Sequence, residues 1–469
     1  MGIYEKVKEL SRFGEIIAGG KKEKKILNVI KSQFEDKFDD IKLYYHDVLN
    51  WSSREAEIQC ESKKVPDEYF AVLPYSPSVD IETSNYRIIS LNSLSELSIK
   101  YARIAKLYDH DTVLLFTLND DTIRKIVLKN RPLLHNSPQT PPYIPAFFIN
   151  KNTLNYLKGK CRFYMKNTFM DSVGFSIEGI SNGKKDEKVY VTAHHDHWFY
   201  GEHDDLVGVA LLSELNHVRD SNYEIHAISF TAEESGCYFE SFSWACGSKQ
   251  YVKNNREKLE NTKLVISLDN ISSNNLYLFY TPLTTPLKYE DVKEIPYPSP
   301  YSDSYRFLEI NAPTISFHSL DYKYYHSNFD VLNREESVLI EQKILSIIRD
   351  ILEKYPRFSN TKIEFIKKEL HNLPVELKSI LTNTSITNRF AEKFIGLYKS
   401  ILYPNGKIIT SLFHTLKGIK ESYYTEYMAI EDFKELENID YSSNNYTYYI
   451  HKLYKEEIER YIKLISENY

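Results

Sequence analysis

The sequence predicts an α/β fold: a mixed central sheet flanked by helices, with a small insert domain and a mainly helical C-terminal domain. Three observations point there. The apolar stretches at 188–193, 225–231 and 264–268 lack polar alternation, as expected of strands buried on both faces. Helical patterns at 205–218, 302–308 and 338–352 fall between or after them, and a short strand is expected at 313–317. The length of 469 residues exceeds what one hydrophobic core usually organises, so appendages are expected.

Two helices are predicted at the start, at 4–13 and, after the Gly19-Gly20 break, at 21–34. A strand at 42–50 completes the N-terminal part of the main domain, residues 1–85. The pattern then changes. Strands at 87–91 and 112–117 surround a helix, and Pro138, Pro141, Pro142 and Pro145 exclude a regular element between them. The strand 146–149 leads into a helix at 151–157. Residues 86–166 therefore read as a small insert able to wall one side of a cleft. Residues 167–355 hold the main α/β pattern. Beyond Pro356, helical patterns at 361–371, 384–402, 410–424 and 446–465 carry no chemical constellation, so residues 356–469 are expected to pack or to mediate a homo-oligomer.

Chemistry-bearing residues gather at the expected strand ends. His194 and Asp196 follow one strand, Glu233 and Glu234 a second, and Asp269 a third, while Asp204 and Asp205 open a helix and His326 comes later. Singly, each has a simpler explanation as a capped or solvated side chain. Together they would repel one another and be costly to desolvate unless a cation joined them. Mixed imidazole and carboxylate donors suit Zn²⁺, with Co²⁺ or Mn²⁺ as substitutes, and no thiolate cage marks a closed structural site.

The motifs and their order resemble the M28 family of metallo-aminopeptidases. His194-His195-Asp196 after Ala193 matches the family's His-x-Asp. Gly201-Glu202-His203-Asp204-Asp205-Leu206-Val207-Gly208 matches its Gly-x-x-Asp-(Asp/Asn)-x-x-Gly. Glu233-Glu234-Ser235-Gly236, Asp269 and Tyr325-His326-Ser327-Asn328-Phe329-Asp330 complete the set. The likeness covers roughly residues 1–355, and the insert resembles a protease-associated domain.

That resemblance implies a zinc-dependent exopeptidase (phosphorylase/hydrolase-like) fold and a dizinc aminopeptidase that removes the N-terminal residue of peptides. It also implies the roles. His194 and Asp269 would hold one Zn²⁺, Glu234 and His326 the other, and Asp204 would bridge them. Asp196 would accept a proton from His194 and fix its tautomer, and Glu233 would be the general base. Two rivals share the scaffold: a glutaminyl cyclase-like single-zinc acyltransferase, and a carboxypeptidase or amidohydrolase. His195, His197, His203 and His318 are expected in the pocket or behind the ligands. Tyr325 is open to a packing role or to oxyanion donation.

Composition narrows the partners. A net charge of −6 offers no basic footprint for nucleic acid. The apolar runs fall far short of a membrane span. Met1 to Leu10 lacks the apolar stretch of a secretion signal. Cys60, Cys161, Cys237 and Cys246 have no metal-knuckle spacing, so the expectation is a cytoplasmic enzyme with mostly free thiols.

Overall fold

The run Lys-Val-Tyr-Val-Thr-Ala-His at 188–194 is rich in β-branched and apolar residues, and it forms a strand near the middle of a ten-stranded sheet. The computed structural model describes residues 2–354 except 95–96, 110, 129–141, 216–221, 238–243, 281–287, 296–298, 300–301, 311 and 320–321. The expected C-terminal helical domain lies outside the described residues.

Fourteen strands are described. They are β1 (Asp40–Cys60), β2 (Lys63–Lys64), β3 (Phe70–Val72), β4 (Val79–Thr83), β5 (Tyr86–Ser90), β6 (Val113–Thr117) and β7 (Ala146–Ile149), followed by β8 (Cys161–Ser181), β9 (Lys188–His194), β10 (Glu224–Phe230), β11 (Thr262–Leu268), β12 (Leu276–Tyr280), β13 (Val292–Ile295) and β14 (Thr314–Ser319). The large sheet runs β13-β12-β14-β11-β9-β10-β8-β1-β2, with β4 also on β8. Its centre, β14, β11, β9 and β10, is parallel; β12, β8 and β1 pair antiparallel, so the sheet is mixed.

Helices cover both faces because each central strand is apolar on both. Val189, Val191, Ile225, Ala227, Leu264 and Ile266 join one core with α1 (Ile3–Ser11), α2 (Glu23–Phe34), α4 (Val207–Leu212) and α6 (Arg334–Lys354). The intervening Tyr190, Ile228, Phe230 and Val265 join another with α5 (Cys246–Asn254) and the 3₁₀ turn Asp303–Ile310. This two-residue alternation is the pleat of the strands.

A separate four-stranded sheet, β3-β7-β6-β5, packs with α3 (Leu97–Ile104) around Leu114, Phe116, Ala146 and Phe148. Its strands lie between residues 70 and 149. Residues 161–166, grouped with the insert in the sequence reading, run in β8 of the large sheet.

One expectation fails. The cysteines are paired, Cys60 with Cys161 and Cys237 with Cys246, and none is free. No spacing signal could show this, because Cys60 and Cys161 meet only through the β1–β8 register. The cytoplasmic expectation loses its thiol support. Among the described residues, no helix is long and apolar enough to cross a membrane.

Candidate metal centre

Parallel strands point their C-terminal ends the same way, and in open α/β sheets that edge is where ligands bind. His194 is the last residue of β9, directly across from Phe230 at the end of β10. Three residues beyond Phe230, with Ala232 turned into a left-handed conformation, come Glu233 and Glu234. Asp269 follows β11 at once. Asp204 and Asp205 lie in the turn between β9 and α4. Gly208 is required there, since a Cβ at that position would sit 2.4 Å from Asp205 Oδ1.

These elements bring five of the sequence-predicted residues into two groups that share one member. His194, Asp204 and Asp269 form the first, and Asp204, Glu234 and His326 the second; each group's donor atoms lie within 4.8 Å of one another, and all five residues are buried. His194 Nε2 is 3.4 Å from Asp204 Oδ1 and 3.9 Å from Asp269 Oδ1. His326 Nε2 is 3.2 Å from Asp204 Oδ2 and 2.8 Å from Glu234 Oε1. Asp204 thus turns one oxygen toward each imidazole. Glu233, also buried, belongs to neither group.

The supporting bonds differ in one respect from the sequence reading. His194 Nδ1 donates to the main-chain oxygen of Asp196, not to its carboxylate (2.9 Å). The Asp196 carboxylate instead accepts the main-chain N–H groups of Glu233 and Glu234, both at 3.0 Å. Asp196 therefore fixes His194 through its backbone and the Glu-Glu turn through its side chain. Side-chain chemistry alone does not reveal which atom of a residue will be used.

Three supports carried no recognisable sequence signal for their contacts. Trp198 Nε1 donates to Glu234 Oε2 at 2.9 Å. Asp330 accepts from the main-chain N–H of His203 and of Asp204, and from His203 Nδ1 at 2.8 Å. The main-chain oxygen of Lys125, from the turn after β6, accepts from His326 Nδ1 at 2.8 Å. Of the remaining histidines, His195 Nδ1 meets Ser229 Oγ, His197 Nδ1 meets the oxygen of His195, and His318 Nδ1 lies 3.7 Å from Asp269 Oδ1. None of them joins either group. Tyr325 stacks on His326, with ring centroids 3.8 Å apart.

The electrostatics show why a cation belongs here. Burial, and then the neighbouring carboxylates Asp269, Glu234 and Asp303, push the Glu233 carboxyl well above its ordinary range, against the pull of His194. Burial raises Glu234 and Asp205 too. Although burial opposes it, Glu234 and Asp204 raise His326 to about 10, and Asp204 and Asp269 raise His194. Both Nε2 atoms and Asp204 Oδ2 are buried among one another and the nearby carboxylates without an aligned hydrogen bond, an arrangement that is costly unless another ligand engages them. The donor set, two imidazoles and three carboxylates, fits zinc.

Residues 177–348 match the sequence model of peptidase family M28. The chain carries an M28 peptidase domain. The site just described is accordingly that of a metal-dependent peptide hydrolase. Solved structures share the M28 fold. An aminopeptidase from Aneurinibacillus sp. strain AM-1 is 17% identical with a TM-score of 0.50, covering 75% of this chain and 92% of that one. BSAP, a zinc aminopeptidase from Bacillus subtilis, is 19% identical with a TM-score of 0.52, covering 74% and 94%. A peptidase M28 precursor from Shewanella amazonensis is 15% identical with a TM-score of 0.56, covering 75% and 92%. At such identities the likeness establishes the fold. No curated protein matches the chain in sequence.

Proposed function

We propose that the M28 domain is a dizinc aminopeptidase, hydrolysing the N-terminal peptide bond of peptides with Glu233 as general base. The observation that supports this most is Asp204 standing in both ligand groups, one oxygen toward His194 and the other toward His326. In this reading His194, Asp204 and Asp269 hold one ion, and Asp204, Glu234 and His326 the other. The named zinc aminopeptidase of the same fold is consistent with it.

A bound cation pair supplies Lewis acidity and positive charge beside the scissile carbonyl. The chain's own part is proton transfer and orientation. Glu233, outside both ligand groups, takes a proton from the attacking water on its carboxylate and returns it to the leaving amine nitrogen. Asp196 holds Glu233 and Glu234 in one fixed turn through their main-chain N–H groups, so the base and a ligand keep a constant relative position. The Trp198 indole holds the second oxygen of Glu234. Burial of the whole group strengthens every one of these interactions.

The shared Asp204 favours this reading over a glutaminyl cyclase-like enzyme with a single zinc. Exopeptidase polarity is tested with zinc-loaded protein on matched peptides bearing free, N-acetylated or C-terminally amidated ends. An aminopeptidase cleaves the free and amidated peptides and loses the acetylated one. Cleavage of acetylated peptides at internal bonds, or dependence on a free C-terminus, would replace the assignment with an endopeptidase, amidohydrolase or carboxypeptidase.

A further inference from the structure

The turn after β6, residues 122–128, belongs by sequence to the small-sheet region, yet its contacts run along the loop that carries His326. Ile123 N–H donates to Asn328 Oδ1 at 3.0 Å, and Asn328 N–H donates back to the oxygen of Ile123 at 3.2 Å. Arg124 and Ser327 form an isolated antiparallel bridge. Lys125 N–H donates to the oxygen of His326 at 3.1 Å, while the Lys125 oxygen accepts from His326 Nδ1. Three successive residues, 326–328, are thereby tied to three, 123–125.

Arg124 gives this pairing its fixity. Its side chain is buried, and its guanidinium donates to the main-chain oxygens of Tyr325 and Lys323, each at 2.5 Å, and to Thr122 Oγ1 at 3.1 Å. A carboxylate, Asp120, stands 4.0 Å away. A buried guanidinium directed at two main-chain carbonyls, with its counterion at that distance, organises backbone; its planar fork presents separate nitrogens to the two acceptors in a fixed geometry, whereas an ammonium offers one freely rotating nitrogen. His326 needs such help because its own backbone is left-handed, at φ 56°. Lys125 is itself anchored by Glu15, 2.6 Å from its ammonium, so the clamp is held from behind.

We propose that Arg124 is a positioning residue for the metal centre: through the 323–328 turn it holds His326 Nδ1 on the Lys125 oxygen and so presents Nε2 toward Asp204 and Glu234. The small-sheet region is then part of the metal centre as well as a wall beside it. This rests on the dizinc reading. Groups that orient a metal ligand typically contribute about 10- to 100-fold in metal affinity.

The test uses the full chain with Arg124→Met and the milder Arg124→Lys. Metal-free protein is titrated with zinc against a competing chelator, and hydrogen exchange of the segments 188–194 and 322–330 is followed without metal. Arg124→Met should weaken one of the two zinc affinities about 10- to 100-fold, leaving the other near wild type, and should speed exchange at 322–330 alone. Arg124→Lys should fall between. A residue of only general structural value would instead lower both affinities together and loosen 188–194 as well. Unchanged affinities at both sites in Arg124→Met, whatever the exchange, overturn the inference. Should the wild type take up fewer than two ions, the dizinc reading falls, and exchange at 322–330 then decides the role of Arg124: faster in the variant supports it, unchanged overturns it.

Discussion

In the proposed mechanism Glu233 transfers the proton without binding metal. It is buried beside the ligands but belongs to neither group, so Glu233→Gln should retain zinc while turnover falls at least ~10²–10⁴-fold, the range for general acid–base groups. Zinc content and turnover measured on the same preparation check this; near-normal turnover would remove Glu233 from the base role. At this scale much was legible in the sequence. His194, Asp204, Glu234, Asp269 and His326 stand in motifs whose order and spacing carry meaning, and all five meet. What was hidden is the use of backbone atoms. The main-chain oxygens of Asp196 and Lys125 orient the two imidazoles, and main-chain groups leave no trace in residue type.

At the level of elements, the strands of the central sheet were readable because they are short, apolar and bounded by polar turns. β8 was not. Its first half alternates, with Cys161, Phe163, Met165 and Asn167 buried and their neighbours more exposed, while its last six residues are all buried; one 21-residue strand therefore contains two patterns. β1 pairs with it over nearly its whole length and brings His46 into the interior. Burial, with a smaller contribution from His195, lowers the His46 pKa to about 4 from 6.5. A depressed folded value means that the unfolded chain takes up a proton first. The stability His46 contributes is thus fully present above pH 6.5 and is lost as pH falls from 6.5 toward 4. His46→Phe should flatten that part of the profile in denaturant titrations at successive pH values, and a slope equal to that of the wild type would show that His46 is not the group responsible.

Across the whole molecule, one disulfide closes a long loop while the other, Cys237–Cys246, lies beside the Glu233-Glu234 turn. Cys60–Cys161 joins residues 101 positions apart at the ends of β1 and β8. Restricting so long a loop in the unfolded chain stabilises the fold, and replacing both cysteines with serine should cost about 2–5 kcal/mol. Denaturation of the double variant measures the loss, with turnover at 25 °C expected to hold. Pairings of this kind, like the contact between residues 123–125 and 325–328, depend on topology over hundreds of residues and could not be read from composition or spacing. Three strands of the small sheet, β5, β6 and β7, were foreseeable from their pattern; its edge strand β3 and its hold on His326 were not.

If side chains from separate strands share two cations through Asp204, the zinc stoichiometry and the turnover depend together on that one carboxylate. Metal-free wild type and Asp204→Ala, both checked for folding, are titrated with zinc while hydrolysis of an unblocked peptide is followed. The wild type should bind two ions per chain, with activity rising as they fill, whereas Asp204→Ala should hold neither firmly and show almost no turnover. Two tightly bound ions and undiminished turnover in Asp204→Ala would contradict the account.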